Sequence, residues 1–575
     1  LFNTEYSIKS LLFSSFSTLA IFLYLNITEK KVSKIDPKIT IITLCYLLFS
    51  LISFFLSQTP NLGLAEVTSD TVFLTLFLTL ISIPKSKFNL TKATIYIAKA
   101  NILLQSSYVF YQTLFAEQTR AFGSFLSYTD HRLIYPNALG LSLVLSILAI
   151  LPTDKSQKNT LGLISIGFTS LLFSFSRGAI LSLLIPTIIY ASYLIYKHQK
   201  NILKKITLSF LIGFVLFIIP FQILPKFQSS LPIDNKITFA GTEKITSFDE
   251  RLQFFTETPK LAIQKPILGF GPNSFSYIFP SVQKIPLSNS QHPHNIFLKI
   301  ITERGLTNLL FFLAFLSLVT ISAYKSFKQN PATLPLTLSL FGLLLHNSID
   351  YNLQFPINSL LIILISSSLI PKKTAHTSKL HLSIFPIIFI FTTSYLFLNH
   401  LTLKKPDLSP LNISDINYQN SIQLHTNSLP DLNSKIDYLS NQTQNNPHNS
   451  FLYNQLAHLY LQNNQHLQAI QHFQKSIQID SKNFWNPYNF LIQTINKYDP
   501  QLIQPILPST IINLTQYQQA AQLNLHYTSQ SDNILQAIQT CQNILTNPYL
   551  TQDQQTQVQN ILSVLLSSHE RFNRS

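Results

Sequence analysis

Apolar runs close to the length that crosses a bilayer, about 20 residues, recur through the first 400 positions of this chain. Of its 575 residues 46% are hydrophobic and only 11% charged, too apolar a balance for an ordinary soluble protein. The runs predict twelve spans, near 8–27, 39–57, 67–83, 93–116, 133–151, 160–175, 178–196, 204–223, 295–323, 333–350, 357–370 and 382–400. Leu11–Ile27 is long enough to be a span and lacks a small-residue cleavage site, so it reads as a membrane helix and not a cleaved signal. The chain opens on Leu and contains no Met, so a preceding stretch is expected. The expected fold class is all-α: a polytopic transmembrane helix bundle followed by an α-helical soluble domain. Its parts are an N-terminal bundle (1–223), a long loop with an amphipathic helix (224–294), C-terminal transmembrane helices (295–400) and a polar tail (401–575) rich in Asn and Gln.

Charge gives the orientation. The tail holds 8 Lys+Arg and 9 Asp+Glu, whereas the first 400 residues hold 32 basic and 15 acidic residues. A basic excess suits nucleic acid in other settings, but here the lysines sit between hydrophobic spans, and a membrane surface is the expected partner. The segments 28–38, 84–92, 152–159, 197–205, 324–332 and 371–381 hold 18 Lys+Arg; the alternate short segments hold 3. Short basic loops stay in the cytoplasm, so the 224–294 loop and the tail are expected on the outer side. Cys45 and Cys541 lie one in a span and one in the tail, and form neither a metal cluster nor a disulfide framework.

The stretch "FLYNQLAHLYLQNNQHLQAIQHFQKSIQIDSKN" places Tyr453, Leu456, Ala457, Tyr460, Ala469, Phe473 and Ser476 at the spacing of a tetratricopeptide repeat, a 34-residue helix pair. Small residues let the two helices approach and aromatics fill the gap. A generic helical bundle is the alternative. Either form makes the tail a docking surface for a protein partner.

The first 400 residues contain 27 Lys but only five Arg: Arg120, Arg132, Arg177, Arg251 and Arg304. Four of them fall on the outer side or in the outer loop by this topology. Guanidinium binds phosphate oxygens through a planar fork and keeps its charge when partly desolvated, so the set suits a diphosphate headgroup. Pairing with Glu117, Asp130, Asp249 or Glu250 would instead only hold loops together. Arg177 lies in "LLFSFSRGAILSLL", a tight hairpin between spans, with Ser176 as a cap for the next helix. Arg251 lies in "FDERLQFFTETPKLAIQKPILGFGPNSF", an amphipathic helix over 249–264 followed by a Gly-Pro turn. In "HPHN", His294 precedes a helix that Asn295 caps, and its imidazole is suited to take a proton from a hydroxyl. Helical spacing puts Asn295, Lys299 and Glu303 on one stripe, which should face a polar cavity open to the outside and not lipid. His346 and Asp350 stand four residues apart at the outer end of another span.

The chain has no GxxxxGK[ST] loop, no HExxH zinc motif and no convincing carboxylate pair for a metal-bound nucleotide sugar. An ATP-driven pump is therefore not indicated.

"FSRGA" (175–179), "RLQFFTETPKLAIQKPILGFGPNSF" (251–275), "HPHNIFLKIITERGL" (292–306) and "HNSIDYNLQFP" (346–356) together resemble the O-antigen ligase and O-antigen polymerase superfamily of bacterial envelopes, over roughly 160–370. The chain departs from it at Thr307-Asn308, where relatives often have a second small residue after "GL". The resemblance implies a multi-span inverting glycosyltransferase of the bacterial inner membrane. Such enzymes move a glycan from an undecaprenyl-diphosphate carrier to an acceptor hydroxyl on the outer side, with no metal and no other cofactor. It implies Arg177 and Arg251 on the diphosphate and His294 as base or positioner of the acceptor, with Asn295 beside it. Arg120, Arg132, Arg304, Glu303, His346 and Asp350 are expected to complete the substrate site. The acceptor, a glycan, a lipid or a protein, stays open. Two rivals stand beside this reading: a transporter or flippase of lipid-linked glycans, which would show pseudo-symmetric halves, and a membrane-anchored scaffold active only through its tail.

Overall fold

The computed structural model describes residues 36–83, 89–116, 118–125, 135–153, 160–224, 247–286, 290–371, 418–483, 485–523 and 530–574, with position 20 and two short strands. The expected spans near 8–27 and 382–400, most of the 224–246 loop, and Arg132 lie outside the described residues. The regular structure among the described residues is helical apart from one antiparallel pair of two-residue strands, β1 (Ser33–Lys34) and β2 (Lys373–Thr374), with Ser33 opposite Thr374. That pair joins two lysine-bearing segments that the charge pattern puts on one face.

Among the described residues twelve helices precede the tail: α1 (Pro37–Phe55), α2 (Pro60–Ser82), α3 (Leu90–Leu114), α4 (Pro136–Ala149), α5 (Thr160–Phe173), α6 (Arg177–Tyr196), α7 (Lys200–Ile223), α8 (Ser247–Gln264), the short α9 (Phe275–Ile278), α10 (Ile296–Gln329), α11 (Leu334–Asn347) and α12 (Pro356–Leu369). A helix stands at each of the ten expected span positions that are described. Five of these are long and apolar enough to cross a membrane: α1, most of α2, α6, α7 and α10. Helices α4, α5 and α12 are apolar but have 14 residues each, about 21 Å at 1.5 Å per residue. Among the described residues five helices are thus long and apolar enough to cross a membrane, and two of the twelve expected spans lie outside those residues.

The start signals are local. Pro37, Pro136 and Pro356 open their helices at the position where a missing N–H costs nothing. Asp36, Asn89 and Ser176 accept from the backbone N–H of Lys38, Lys92 and Ala179. Helix α4 is apolar all round and buried along almost its whole length, so it forms the axis of the bundle. Helices α3, α5, α6, α11 and α12 pack around it. Helices α6 and α7 turn Leu181, Leu184, Ile188, Leu208, Leu211 and Phe214 outward; an exposed apolar face of that length belongs against lipid.

Helix α10 is broken at Gly305, whose φ of 78° and ψ of 175° lie outside helical space. The loop before α9 fills the break. Phe270 N donates to Thr302 O at 3.0 Å, Gly271 N to Glu303 O at 2.7 Å and Leu306 N to Pro266 O at 2.7 Å. Backbone groups released by the break are thereby satisfied. A Cβ on Gly305 would lie 2.1 Å from Ile267 O, so only glycine fits.

The tail is an array of helices: α13 (Tyr418–Ser428), α14 (Leu432–Asn445), α15 (Ser450–Gln462), α16 (His466–Ile479), α17 (Asn486–Tyr498), α18 (Leu507–Leu523), α19 (Gln530–Leu545) and α20 (Gln552–Arg574). Helices α15 and α16 pack together with Ala457, Ala469 and Phe473 fully buried. The tail touches the loop around α9. Gln283 and Asn483 exchange amide hydrogen bonds at 2.8 and 2.7 Å, Lys482 Nζ donates to Lys284 O at 3.0 Å, and the His448 ring meets Gln58 at 2.6 Å.

Candidate functional site

Asp350 sits just after α11, in a turn closed by its own N–H on His346 O at 2.9 Å. Its side chain is about 5% exposed. One carboxylate oxygen takes His294 Nδ1 at 2.8 Å and Tyr351 N–H at 2.8 Å; the other faces Arg251 Nη2 at 3.5 Å. Burial by itself would raise the pKa of Asp350, but the His294 ring and the Arg251 guanidinium hold it well below the usual carboxylate range. An ionised carboxylate only accepts, so His294 donates through Nδ1, and in the neutral ring its other nitrogen, Nε2, carries the lone pair. That nitrogen stands 3.2 Å from Ser290 Oγ.

Local structure aims this ring. His294 has a φ of +52°, an uncommon conformation for a residue with a Cβ and one found where the surroundings enforce it. Asn295 follows as the cap of α10, accepting from Phe297 N and Leu298 N, and its amide nitrogen donates to Ser348 O at 2.7 Å. Asn295 thus ties the start of α10 to the turn that carries Asp350. The His294 ring stacks on Phe254 of α8, 5.5 Å between centroids. Helix α8 is itself clamped. Gln253 Oε1 accepts from Lys284 N and Ile285 N at 2.6 Å each, and Glu257 pairs with Lys260 at 2.5 Å and Lys284 at 2.6 Å.

Arg177 is the first residue of α6. It is exposed, and it lies near enough to Arg251 for the two charges to repel. The neighbouring Gly178 explains the closeness: a Cβ there would lie 2.8 Å from Ile349 Cδ1, so the α6 start packs directly on the residue before Asp350. Arg120 braces this hairpin from behind, its Nε donating to Ser174 O at 3.1 Å while Ala121 N donates to Phe173 O at 2.8 Å. The structure therefore brings together Arg177, Arg251, His294, Asn295 and Asp350. His346, one turn away, is buried with neither ring nitrogen hydrogen-bonded among the described residues.

Glu303 and Arg304 are not part of that group. They belong to a second, buried cluster with Lys299, Glu66 and Asp70. Lys299 Nζ contacts Glu303 at 2.6 Å and Glu66 at 3.0 Å; Arg304 contacts Glu66 at 2.6 Å and Asp70 at 2.5 Å and donates to Tyr46 OH at 2.7 Å. Glu303 also accepts from Asn273 N at 3.0 Å and Phe275 N at 3.2 Å, and so holds the loop that plugs the break in α10. Lys299 and Arg304 line a cavity of about 140 Å³ with apolar walls that include Phe73, Phe312 and Phe315. Tyr351 stands between the two clusters, with Lys299 Nζ 5.1 Å from its ring on one side and His292 5.2 Å away on the other.

Reading the sequence did not single out Glu66 and Asp70. Their signal was present: two carboxylates four residues apart at the edge of an apolar run, costly there without cationic partners. Ser290, Phe254 and His292 carried no comparable signal. The ligating atoms of His292, His294 and Asp350 lie within 4.8 Å of one another.

No curated protein gives a significant match to this chain. Over residues 162–313, which hold Arg177, Arg251, His294 and the broken start of α10, the chain matches the family model of O-antigen ligase, the family that its motifs resemble.

Proposed function

We propose that this protein is a membrane glycosyltransferase that moves a glycan from an undecaprenyl-diphosphate carrier to an acceptor hydroxyl, with inversion at the anomeric carbon. The observation that carries the reading is the meeting of an oriented imidazole with two arginines. His294 Nδ1 is held by Asp350 at 2.8 Å, Arg251 is on the same carboxylate, and Arg177 is beside it.

In this reading Arg177 and Arg251 grip the diphosphate and neutralise the charge that grows as the bond from the anomeric carbon to phosphate oxygen breaks. The acceptor oxygen attacks from the opposite face, its proton passes to His294 Nε2, and the diphosphate leaves with the bonding electrons. Asp350 fixes the tautomer and stabilises the imidazolium. Nothing in these steps requires a metal ion. Asn295 positions the acceptor side of the site by anchoring the start of α10, Arg120 supports Arg177, and His346 lies behind Asp350. Glu303 and Arg304 shape the site through the loop and the cavity beside it.

The charge pattern supports an extracytoplasmic site in a bacterial inner membrane, with the tail on the same face. The buried Ala457, Ala469 and Phe473 support a tetratricopeptide-like tail that recruits a protein partner or the acceptor. The decisive experiment is transfer by purified protein from a lipid-diphosphate glycan to candidate acceptors. His294→Ala is expected to abolish transfer in a protein that still inserts and elutes as wild type. Full activity of that variant would remove His294 from the reaction.

A further inference from the structure

We propose that His292, His294 and Asp350 form a binding site for a divalent transition-metal ion of the zinc class, and that its occupation switches transfer off. Two imidazoles and one carboxylate are a donor set for borderline metals, with coordination positions left over for solvent. The sequence provides the convergence. His292 and His294 flank Pro293, and the left-handed backbone at His294 turns its ring toward its neighbour, so the rings stand 4.7 Å apart at 71°. The three ligating atoms already lie within 4.8 Å of one another. His294 Nδ1 and Asp350 Oδ1, now 2.8 Å apart, need to open by only about half an ångström to share one ion at bonds of about 2.0–2.2 Å.

A second observation points the same way. Nδ1 of His292 is buried and has no hydrogen-bond partner among the described residues, an arrangement that costs stability and calls for an explanation. Arg251, 3.5 Å from Asp350, opposes a cation. The site is therefore one for a strongly coordinating metal, not for magnesium or calcium. A bound ion takes the Asp350 oxygen that orients His294 and ligates the ring through Nδ1, whose proton is given up; the ring then carries its N–H at Nε2, which can no longer accept a proton from a hydroxyl. The inhibitory half of the proposal rests on the transfer reading above; the binding half does not.

The test uses the full chain in detergent, free of any histidine tag, with cobalt as a spectroscopic stand-in. One equivalent of cobalt is expected to give the visible absorption of a low-coordinate imidazole–carboxylate site, and zinc to displace it. His292→Phe, which fills the same space against Tyr351, is expected to lose that spectrum. In the transfer assay zinc inhibits wild type and EDTA restores it, while His292→Phe keeps its rate and needs about tenfold or more zinc for the same inhibition. No cobalt spectrum, or an equal one in His292→Phe, overturns the site. A normal spectrum with transfer indifferent to zinc overturns the switch. A normal spectrum in a protein that transfers nothing leaves the site standing and sinks the transfer reading instead.

Discussion

At the scale of single residues, Asp350 decides more than its place in the chain suggests. It fixes which nitrogen of His294 carries the lone pair, and it anchors Arg251. Asp350→Asn keeps the shape and removes the charge, so the imidazole is free to adopt the wrong tautomer; the transfer rate is expected to fall by about 10²- to 10⁴-fold. The pH dependence follows from the same group. Its folded-state pKa is depressed by His294 and Arg251. The stabilisation from its charge is therefore complete above the unfolded-state value of about 3.9 and is lost as the pH falls toward the folded-state value. The gap in melting temperature between wild type and Asp350→Asn should narrow as the pH falls from about 4 toward 2. Thermal melts of both proteins across that range check it, and a gap that widens on acidification would contradict the assignment. The sequence offered His294 and Arg251 through recognisable local context. It offered Asp350 only as one of several outer polar residues, because the partnership joins positions 56 residues apart.

At the scale of elements, the broken α10 sets the geometry. Gly305 cannot take a side chain without moving Ile267 or abandoning its own conformation. Gly305→Ala is expected to cost about 1–3 kcal/mol in backbone strain alone, with activity falling further because the 266–275 loop shifts α9 and the start of α10. Differential scanning fluorimetry with a parallel transfer assay measures both effects. The buried charges beneath the break are a separate matter. Removing Glu66 leaves Lys299 and Arg304 short of a carboxylate in a buried site. Glu66→Gln should therefore destabilise by about 3–5 kcal/mol, and a neutral outcome would show that Asp70 and Glu303 suffice. These elements were half legible. Apolar runs and capping residues marked the helices, but the stripe of Asn295, Lys299 and Glu303 gave no sign that Glu303 turns to the 273–275 backbone. That choice depends on a loop folding back across the helix.

At the scale of the whole molecule, the tail rests on the same loop that supports α8 and α9, through Gln283, Lys284 and Asn483. The tail and the His294 site should then share one side of the membrane, opposite the basic α6–α7 connection. With Cys45 and Cys541 replaced by serine, Lys284→Cys and Lys475→Cys are expected to react with a membrane-impermeant thiol reagent from one side and Lys200→Cys only from the other. Labelling of all three from one side would overturn the topology. The sequence by itself determined that the chain is helical and membrane-embedded, where most helices begin, and which arginines and histidine to watch, because periodicity, capping and charge bias are local properties of neighbouring residues. Only the tertiary structure decided that Arg177, Arg251, His294 and Asp350 meet while Glu303 and Arg304 turn to Glu66 and Asp70. Which charge finds which partner depends on the packing of helices far apart in the chain, and a buried ion goes to whatever opposite charge that packing places within reach.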